Sequence, residues 1–143
     1  METYQEMKAR HQREFNALPI GAAFTEESFR QMMERWGLTM DDVDKIYSIG
    51  YGCYIQKKDA DLLHQTMERI EREKSEALAA DTTGMGYIKQ MFDYELRNYE
   101  CFYTNDTSDM LRALDLTEEQ VNADPRLKAG LSAAWKAGRE AGL

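Results

Sequence analysis

The feature that most constrains the fold of this chain is the stretch DKIYSIGYGCYIQKKDADLL at residues 44–63. Side chains of different character alternate over 46–49 and again over 53–56, and both runs contain tyrosine and isoleucine, which favour strands. Gly50-Tyr51-Gly52 separates the runs, and glycine readily takes the positive φ angles of a tight hairpin turn. We therefore predict a β-hairpin at about 46–56.

The same glycines have an alternative interpretation as a phosphate-binding loop. A dinucleotide fingerprint needs G-x-G-x-x-G leading into a helix, and a P-loop needs G-x-x-x-x-G-K-[ST]; GYGCYIQKK fits neither. The next helix cap is Asp59, so the glycine amides lie away from the helix N-terminus at which anions bind. We favour the hairpin, interpret Lys57 and Lys58 as charges that end an edge strand, and expect no cofactor.

Apolar spacing and capping residues predict a helix-rich chain around this hairpin. The predicted helices cover about 4–18, 25–36, 59–80, 85–102, 106–114, 117–123 and 125–135, with one further helical turn after Thr39. Short β-like runs occur at 20–24 and 101–104. The predicted fold class is α+β: a single domain over 1–143 with a small sheet of three to four short strands and a frayed tail at about 136–143.

One segment of the chain repeats the pattern of another at an offset of 78 residues. AAFTEESFRQMMERWGLTMDDVD at 22–44 aligns without gaps with ECFYTNDTSDMLRALDLTEEQVN at 100–122. Both copies predict a strand, a capped helix, and a Leu-Thr pair that opens a short second helix. Common origin and convergence on the same caps both account for this pattern.

Charge and composition exclude several functions. The chain has 143 residues and a net charge of −8, and its 18 basic side chains are scattered among 26 acidic ones, so we expect no direct binding of duplex nucleic acid. No apolar run is long enough for a membrane span, and the N-terminus lacks an apolar signal core. We therefore expect no membrane association and a cytoplasmic location.

Few side chains form a pattern that indicates catalysis. Asp61, His64 and Glu68 share one side of a helix, but a half-exposed histidine with one hydrogen bond explains them better than a metal site. Cys53 and Cys101 lie in apolar runs without a nearby histidine, as small buried residues do. We assign no catalytic residue and no metal ligand.

Glu95 lies on the apolar stripe of the 85–102 helix, where a buried carboxylate is either a site candidate or a structural tie to a nearby polar group. Residues 87–103 also carry six aromatic side chains, too many for one buried face. Either this helix is buried nearly all round, or some of its tyrosines face a partner. The candidate binding residues are Tyr51, Tyr94, Tyr103 and Glu95.

The motifs FNALPIGAAF, DKIYSIGYGCYIQKKDADLLHQTMERIE, AADTTGMGYIKQMFDYELRNYE and LDLTEEQVNADPRL resemble a family of small uncharacterised proteins from gut Firmicutes and their phages and mobile elements. The resemblance covers about residues 5–135 and rests on structural motifs, so it transfers no catalytic residues. It implies an accessory gene product, such as an antagonist of a bacterial defence system.

Three functional hypotheses follow from these observations. The first is a non-enzymatic, acidic module that binds an unknown protein partner, with an inhibitor of a defence nuclease as its sharper form. The second is a small enzyme with a site near Glu95 or His64, which requires a pocket where titratable side chains converge. The third is a self-assembling protein, with a homodimer formed through the hairpin edge or the aromatic helix.

Overall fold

The computed structural model describes residues 1–143 and confirms the α+β class, with eight α-helices and one small antiparallel sheet. The helices are α1 (Tyr4–Asn16), α2 (Glu26–Arg35), α3 (Ala60–Ala80), α4 (Tyr87–Asn98), α5 (Cys101–Thr104), α6 (Ser108–Ala113), α7 (Glu118–Ala123) and α8 (Pro125–Glu140). The strands are β1 (Ile20–Ala22), β2 (Ile46–Gly50) and β3 (Cys53–Gln56). None of the eight helices combines the length and the apolar character needed to cross a bilayer.

The chain forms two compact units. The hairpin unit consists of His11–Glu71, and the terminal unit consists of Met1–Arg10 together with Arg72–Leu143. Organisation as one domain stays a prediction.

The predicted hairpin is confirmed in the hairpin unit. β2 and β3 pair antiparallel, β1 pairs with the other side of β3, and the strand order is β1-β3-β2. The turn has φ angles of 92° at Gly50, 55° at Tyr51 and 73° at Gly52. Because β3 is the central strand, the interpretation of Lys57 and Lys58 as the end of an edge strand is wrong; they form a 3₁₀ turn that leads into α3.

The hairpin unit has a core built from methionine and aromatic side chains. Met32 and Met33 of α2 are buried against Ala23 and Ile46, with partly buried aromatic side chains around them. Gly21 of β1 lets α2 approach closely, since an added Cβ would lie 2.5 Å from the sulfur of Met32. The flexible methionines fill the irregular space under this short sheet.

The terminal unit is built around α4, whose buried side chains face α1, α6, α7 and α8. Ile88, Phe92 and Leu96 are fully buried within this core. α8 presents small residues to the core at intervals of four, and added Cβ atoms on Gly130 and Gly138 would collide with Ile88 and with the ring of Phe102. This small-residue face allows α8 to pack closely against α4 and α5.

Helix starts follow the predicted capping residues. Thr25, Thr117 and Asp124 cap α2, α7 and α8, and each side-chain oxygen accepts a backbone N–H from the first turn at 2.9–3.1 Å. The last helix is longer than predicted, because α8 continues to Glu140 and not only to about residue 135. Fraying of residues 136–143 in solution stays a prediction.

The loop that starts α4 closes around its own carboxylate. Asp81 Oδ1 accepts the amides of Thr83 and Gly84 at 3.2 and 2.8 Å, and Oδ2 accepts those of Gly86 and Ile88 at 3.0 Å each. Burial opposes ionisation of this carboxyl, but these four amides outweigh burial and hold its pKa below the ordinary value. A side chain of the protein thus occupies the position that an anion takes at a helix N-terminus.

The two copies of the 78-residue repeat share their helix ends. The amides of Leu38 and Leu116 each donate to the carbonyl five residues earlier, at 2.8 and 2.9 Å. The residues before them, Gly37 and Asp115, have φ angles of 72° and 57°. Both helices therefore end in the same left-handed stop, with a Leu-Thr pair immediately after it.

The predicted strand at 101–104 is wrong, because these residues form the short helix α5. Left-handed residues bound this turn, with φ angles of 54° at Glu100 and 58° at Asn105, and the amide of Asn105 donates to Cys101 O at 2.8 Å. Cys101 is fully buried in the core. Burial and the helical closure override the weak strand preference of Cys-Phe-Tyr-Thr.

Candidate functional site

Glu95 is buried, and its carboxylate is fully engaged within the terminal unit. Its side chain is 2% exposed and lies between α4 and the first turns of α1. Oε2 accepts the hydroxyl of Tyr4 at 3.1 Å and the ammonium of Lys8 at 3.3 Å, and Oε1 accepts the amide of Asn98 at 3.2 Å. These contacts tie α1 to α4, which is the structural alternative that the sequence left open.

Two further tyrosines pack against Tyr4, the tyrosine that donates to this carboxylate. The ring of Tyr4 lies 5.4 Å from that of Tyr87 and 5.9 Å from that of Tyr94, and Lys8 Nζ lies 5.4 Å from the centre of the Tyr94 ring. Burial and the adjacent Glu95 carboxylate raise the pKa of Tyr4 far above its ordinary value. The Tyr4 hydroxyl therefore remains protonated and continues to donate its hydrogen bond.

Replacing Tyr4 with phenylalanine tests this cluster. We expect Tyr4→Phe to lower the free energy of unfolding by about 1–2 kcal/mol, because a buried carboxylate oxygen loses a donor. Tyr94→Phe is the matched control: Tyr94 also lies in the cluster, and its hydroxyl makes no hydrogen bond, so we expect a change within about 0.5 kcal/mol. Urea denaturation followed by tryptophan fluorescence measures both variants, and equal losses would contradict a tie through Tyr4.

The groove beside this cluster does not make Glu95 a catalytic group. It has a volume of about 380 Å³ and is lined by Thr3, Gln5, Gln90, Asp93, Tyr94 and Arg97. Glu95 is absent from the lining, and Asp93 is paired with Lys89 at 2.8 Å. The geometry therefore does not support the hypothesis of an enzyme centred on Glu95.

The other residues considered for chemistry do not line this groove. His64 is exposed on α3, with Nε2 3.6 Å from Glu68 Oε1. No group of three His, Cys, Asp or Glu side chains is arranged to hold a metal ion. Cys53 is half-buried, and burial raises the pKa of the fully buried Cys101 thiol, with a further contribution from Asp106.

The surface feature that stands out is the segment 100–119, which we name the acidic segment. It contains six carboxylate side chains and a single basic side chain, Arg112. All six carboxylates are exposed, as is Tyr103 of α5, whose side chain is 88% exposed. Tyr103 is among the binding candidates predicted from the sequence, whereas the net charge of the whole chain does not reveal the concentration of negative charge around it.

Some of these carboxylates have local structural roles. Asp106 accepts the amide of Ser108 at 2.9 Å, and Asp109 pairs with Arg112 at 3.1 Å. Glu100 and Asp115 differ, because each occupies a left-handed backbone position that glycine fills at lower cost. Neither side chain makes an ion pair or a side-chain hydrogen bond in the structure.

A groove between α6 and α7 lies within the acidic segment. Its volume is about 410 Å³, and Leu111 and Leu116 contribute apolar surface, while Asp115 and Glu118 contribute carboxylates. Arg112 also lines it, with its guanidinium paired to Asp109. An apolar floor with carboxylates at its rim matches a lysine or arginine side chain, which has an aliphatic stem and a cationic end.

Strain at Glu100 can be measured. We expect Glu100→Gly to raise the free energy of unfolding by about 0.5–1 kcal/mol, since glycine removes the steric cost of the left-handed position but adds backbone entropy to the unfolded chain. Glu118→Gly, in the first turn of α7, is the control and should lower stability by about 0.5–1 kcal/mol. Thermal unfolding followed by circular dichroism compares the two, and a loss of stability in Glu100→Gly would contradict the strain.

The remaining candidate residues lie in different surroundings. Tyr51 is 97% exposed at the hairpin turn of the hairpin unit. Tyr94 is half-buried in the tyrosine cluster and lines the groove next to Glu95. Tyr94 thus packs against Tyr4, the hydrogen-bond partner of Glu95, whereas Tyr103 belongs to the acidic segment.

Comparison with known proteins gives a family without an assigned activity. Residues 3–137 match the model of a family of unknown function, DUF7659. This range is close to residues 5–135, over which the sequence motifs resemble a family of small uncharacterised proteins. No curated protein and no solved structure matches the chain. The match covers nearly the whole sequence, and the chain therefore belongs to the family of unknown function DUF7659.

Proposed function

We propose that this protein is a non-enzymatic binding module whose acidic segment docks a basic region of a protein partner. The single observation that carries the proposal is the exposed Tyr103 within a segment that has six carboxylates and one basic side chain. Exposed tyrosines are frequent centres of binding energy in protein interfaces. The carboxylates around it steer a positively charged partner and fix its orientation.

The groove between α6 and α7 supplies the shape for this interaction. A lysine or arginine of the partner lies with its stem on Leu111 and Leu116 and its charge near Asp115 and Glu118. The left-handed Glu100 supports the same proposal, because a conformational cost at an exposed position indicates that the side chain is retained for another purpose.

Affinity capture with matched charge variants tests the proposal. The binding variant carries Glu100→Gln, Asp109→Asn, Asp115→Asn and Glu118→Gln, and the control variant carries Glu26→Gln, Glu27→Gln, Glu34→Gln and Asp41→Asn in the hairpin unit. Both sets neutralise four exposed carboxylates and change the net charge equally. Proteins captured from extracts of the source cells are identified by mass spectrometry, purified, and titrated against each variant by calorimetry.

The expected partner binds the wild type and the control variant but binds the four-site variant and Tyr103→Ala at least tenfold more weakly. Its affinity for the wild type should also fall as salt is raised, because exposed charges are screened. A captured protein that binds the four-site variant as tightly as the wild type would overturn the proposal. A partner lost only with the control variant would place the binding surface in the hairpin unit instead.

The proposal extends to where the module acts. We place it in the cytoplasm because the sequence has no apolar span and no signal core. The resemblance of its motifs implies an accessory product of a gut bacterium or of its phages and mobile elements. An inhibitor of a defence nuclease is the sharper form, in which the carboxylates of the acidic segment replace nucleic-acid phosphates at a basic channel. Competition between the protein and a short oligonucleotide for the captured partner would distinguish this form from other basic partners.

A further inference from the structure

β2 leaves one side of the sheet open. β3 lies between β1 and β2, so β2 pairs with a strand on one side only. Residues 47–50 are exposed, with Tyr47 49% and Ile49 37% exposed. These two side chains are two positions apart, which places both on one face of a regular strand, and the register shift of β2 falls at Ile49 itself.

Two common protections against pairing with another strand, charged side chains and prolines, are absent from this edge, although a bulge lies at Ile49. Natural edge strands carry charged side chains, prolines or covering elements that prevent association. Ile46–Gly50 contains no charged residue and no proline. The neighbouring Lys45 is paired with Asp42 at 3.2 Å, and Lys57 Nζ lies 4.9 Å from the centre of the Tyr47 ring.

We propose that β2 pairs antiparallel with β2 of a second copy of this chain, about a two-fold axis that passes midway between the two Ser48 residues. The two sheets then become one sheet of six strands, and the unpaired backbone groups of both edges are satisfied. This register is the one that pairs the whole of β2, because Ser48 is its central residue. It also keeps the exposed face of each copy on the same side of the joined sheet.

The side chains match in this register. Tyr47 lies opposite Ile49 of the partner subunit, and the two-fold axis repeats the pair. Aromatic residues opposite β-branched ones are favourable cross-strand pairs. A second copy is therefore a better occupant than a charged peptide, because both halves of the interface present the same uncharged, apolar edge.

The same geometry limits the strength of the dimer. The register shift between Ser48 and Gly50 marks a bulge near the turn, and bulges interrupt pairing. The new ladder is only about five residues long. We therefore expect dissociation constants in the micromolar range, and a monomer in dilute solution.

Charge substitutions on the exposed face provide the test. Tyr47→Lys/Ile49→Lys places like charges opposite each other across the proposed interface and should abolish the dimer. Tyr47→Lys/Ile49→Glu places each lysine opposite a glutamate of the partner subunit and should restore it. Met85→Lys, which substitutes an exposed apolar side chain of the terminal unit, is the control and should leave association unchanged. Sedimentation equilibrium over a hundredfold range of protein concentration measures association, and circular dichroism verifies folding.

Each outcome decides the proposal. A wild-type dimer that is lost in the lysine pair and regained in the lysine–glutamate pair supports it. A wild type that is monomeric at the highest concentration overturns it. A dimer that persists in the lysine pair also overturns it, because association then uses another surface.

Discussion

Gly84→Ala is expected to lower the free energy of unfolding by about 2–5 kcal/mol, a large share of the stability of an ordinary domain. Gly84 has a φ angle of 87°, and a Cβ added there would collide with the backbone carbonyl of Arg126 at the start of α8. This carbonyl belongs to the backbone of α8, so it cannot move aside without shifting the helix, and the Arg126 guanidinium adds an anchor by donating to Leu78 O at 2.9 Å and to Asp81 O at 2.8 Å. Urea denaturation followed by circular dichroism measures the loss.

Gly37→Ala is the matched control for this substitution. Gly37 also has a positive φ angle, 72°, but nothing lies within 4 Å of the position that its Cβ would take. We expect a loss of about 1–2 kcal/mol, from the left-handed backbone alone. The excess loss in Gly84→Ala then measures the contact with α8, and equal losses in the two variants would contradict a steric role for Gly84.

This comparison also indicates what the sequence could predict about the fold. Periodicity and caps carry local information, so the hairpin, the capped helices and the helix ends shared by the repeated segments were accessible from residues alone. The contact between Gly84 and Arg126 joins residues 42 positions apart. In the sequence Gly84 belongs to AADTTGMG, which signals a break and gives no information about what approaches it.

The strand predicted at 101–104 is wrong for the same reason, because long-range contacts that the local sequence does not show decide the conformation there. Cys-Phe-Tyr-Thr favours a strand only when a partner strand is available, and in the structure Cys101 is buried in a helical core. The left-handed angle at Glu100 has no sequence signal, because glutamate rarely takes it. Local preference therefore fails where tertiary contacts impose the backbone conformation.

For the candidate site, the sequence identified individual residues but could not assign their roles. Glu95 on an apolar stripe was visible, whereas its partners Tyr4 and Lys8 lie about ninety positions away. The acidic segment can be identified from the sequence if charges are counted over 100–119 alone. The net charge of the whole chain does not show where the carboxylates are concentrated. The groove in this segment required coordinates, because α6 and α7 create it together.

Asp81→Ala is expected to lower the free energy of unfolding by about 2–4 kcal/mol, because four backbone amides lose a charged acceptor and α4 loses its cap. Asp106→Ala is the control, since that exposed carboxylate accepts only the backbone amide and the hydroxyl of Ser108, and a clearly smaller loss is expected. Chemical denaturation at neutral pH compares the two variants. Similar losses would contradict the view that the Asp81 loop closes around its carboxylate.

The pH dependence of the unfolding free energy shows whether the negative charge of Asp81 stabilises the loop or whether an oxygen atom at this position is sufficient. The pKa of this carboxyl is lowered in the folded state, so the unfolded chain binds its proton more tightly and the carboxylate stabilises the fold above the unfolded pKa of about 4. The difference in unfolding free energy between wild type and Asp81→Asn should stay constant from neutral pH to about pH 5. It should then shrink as the pH falls through the lowered folded pKa, because wild type is protonated there and Asp81→Asn does not titrate. A difference that stays constant throughout acid titration would mean that the loop needs an oxygen at this position but not a charge.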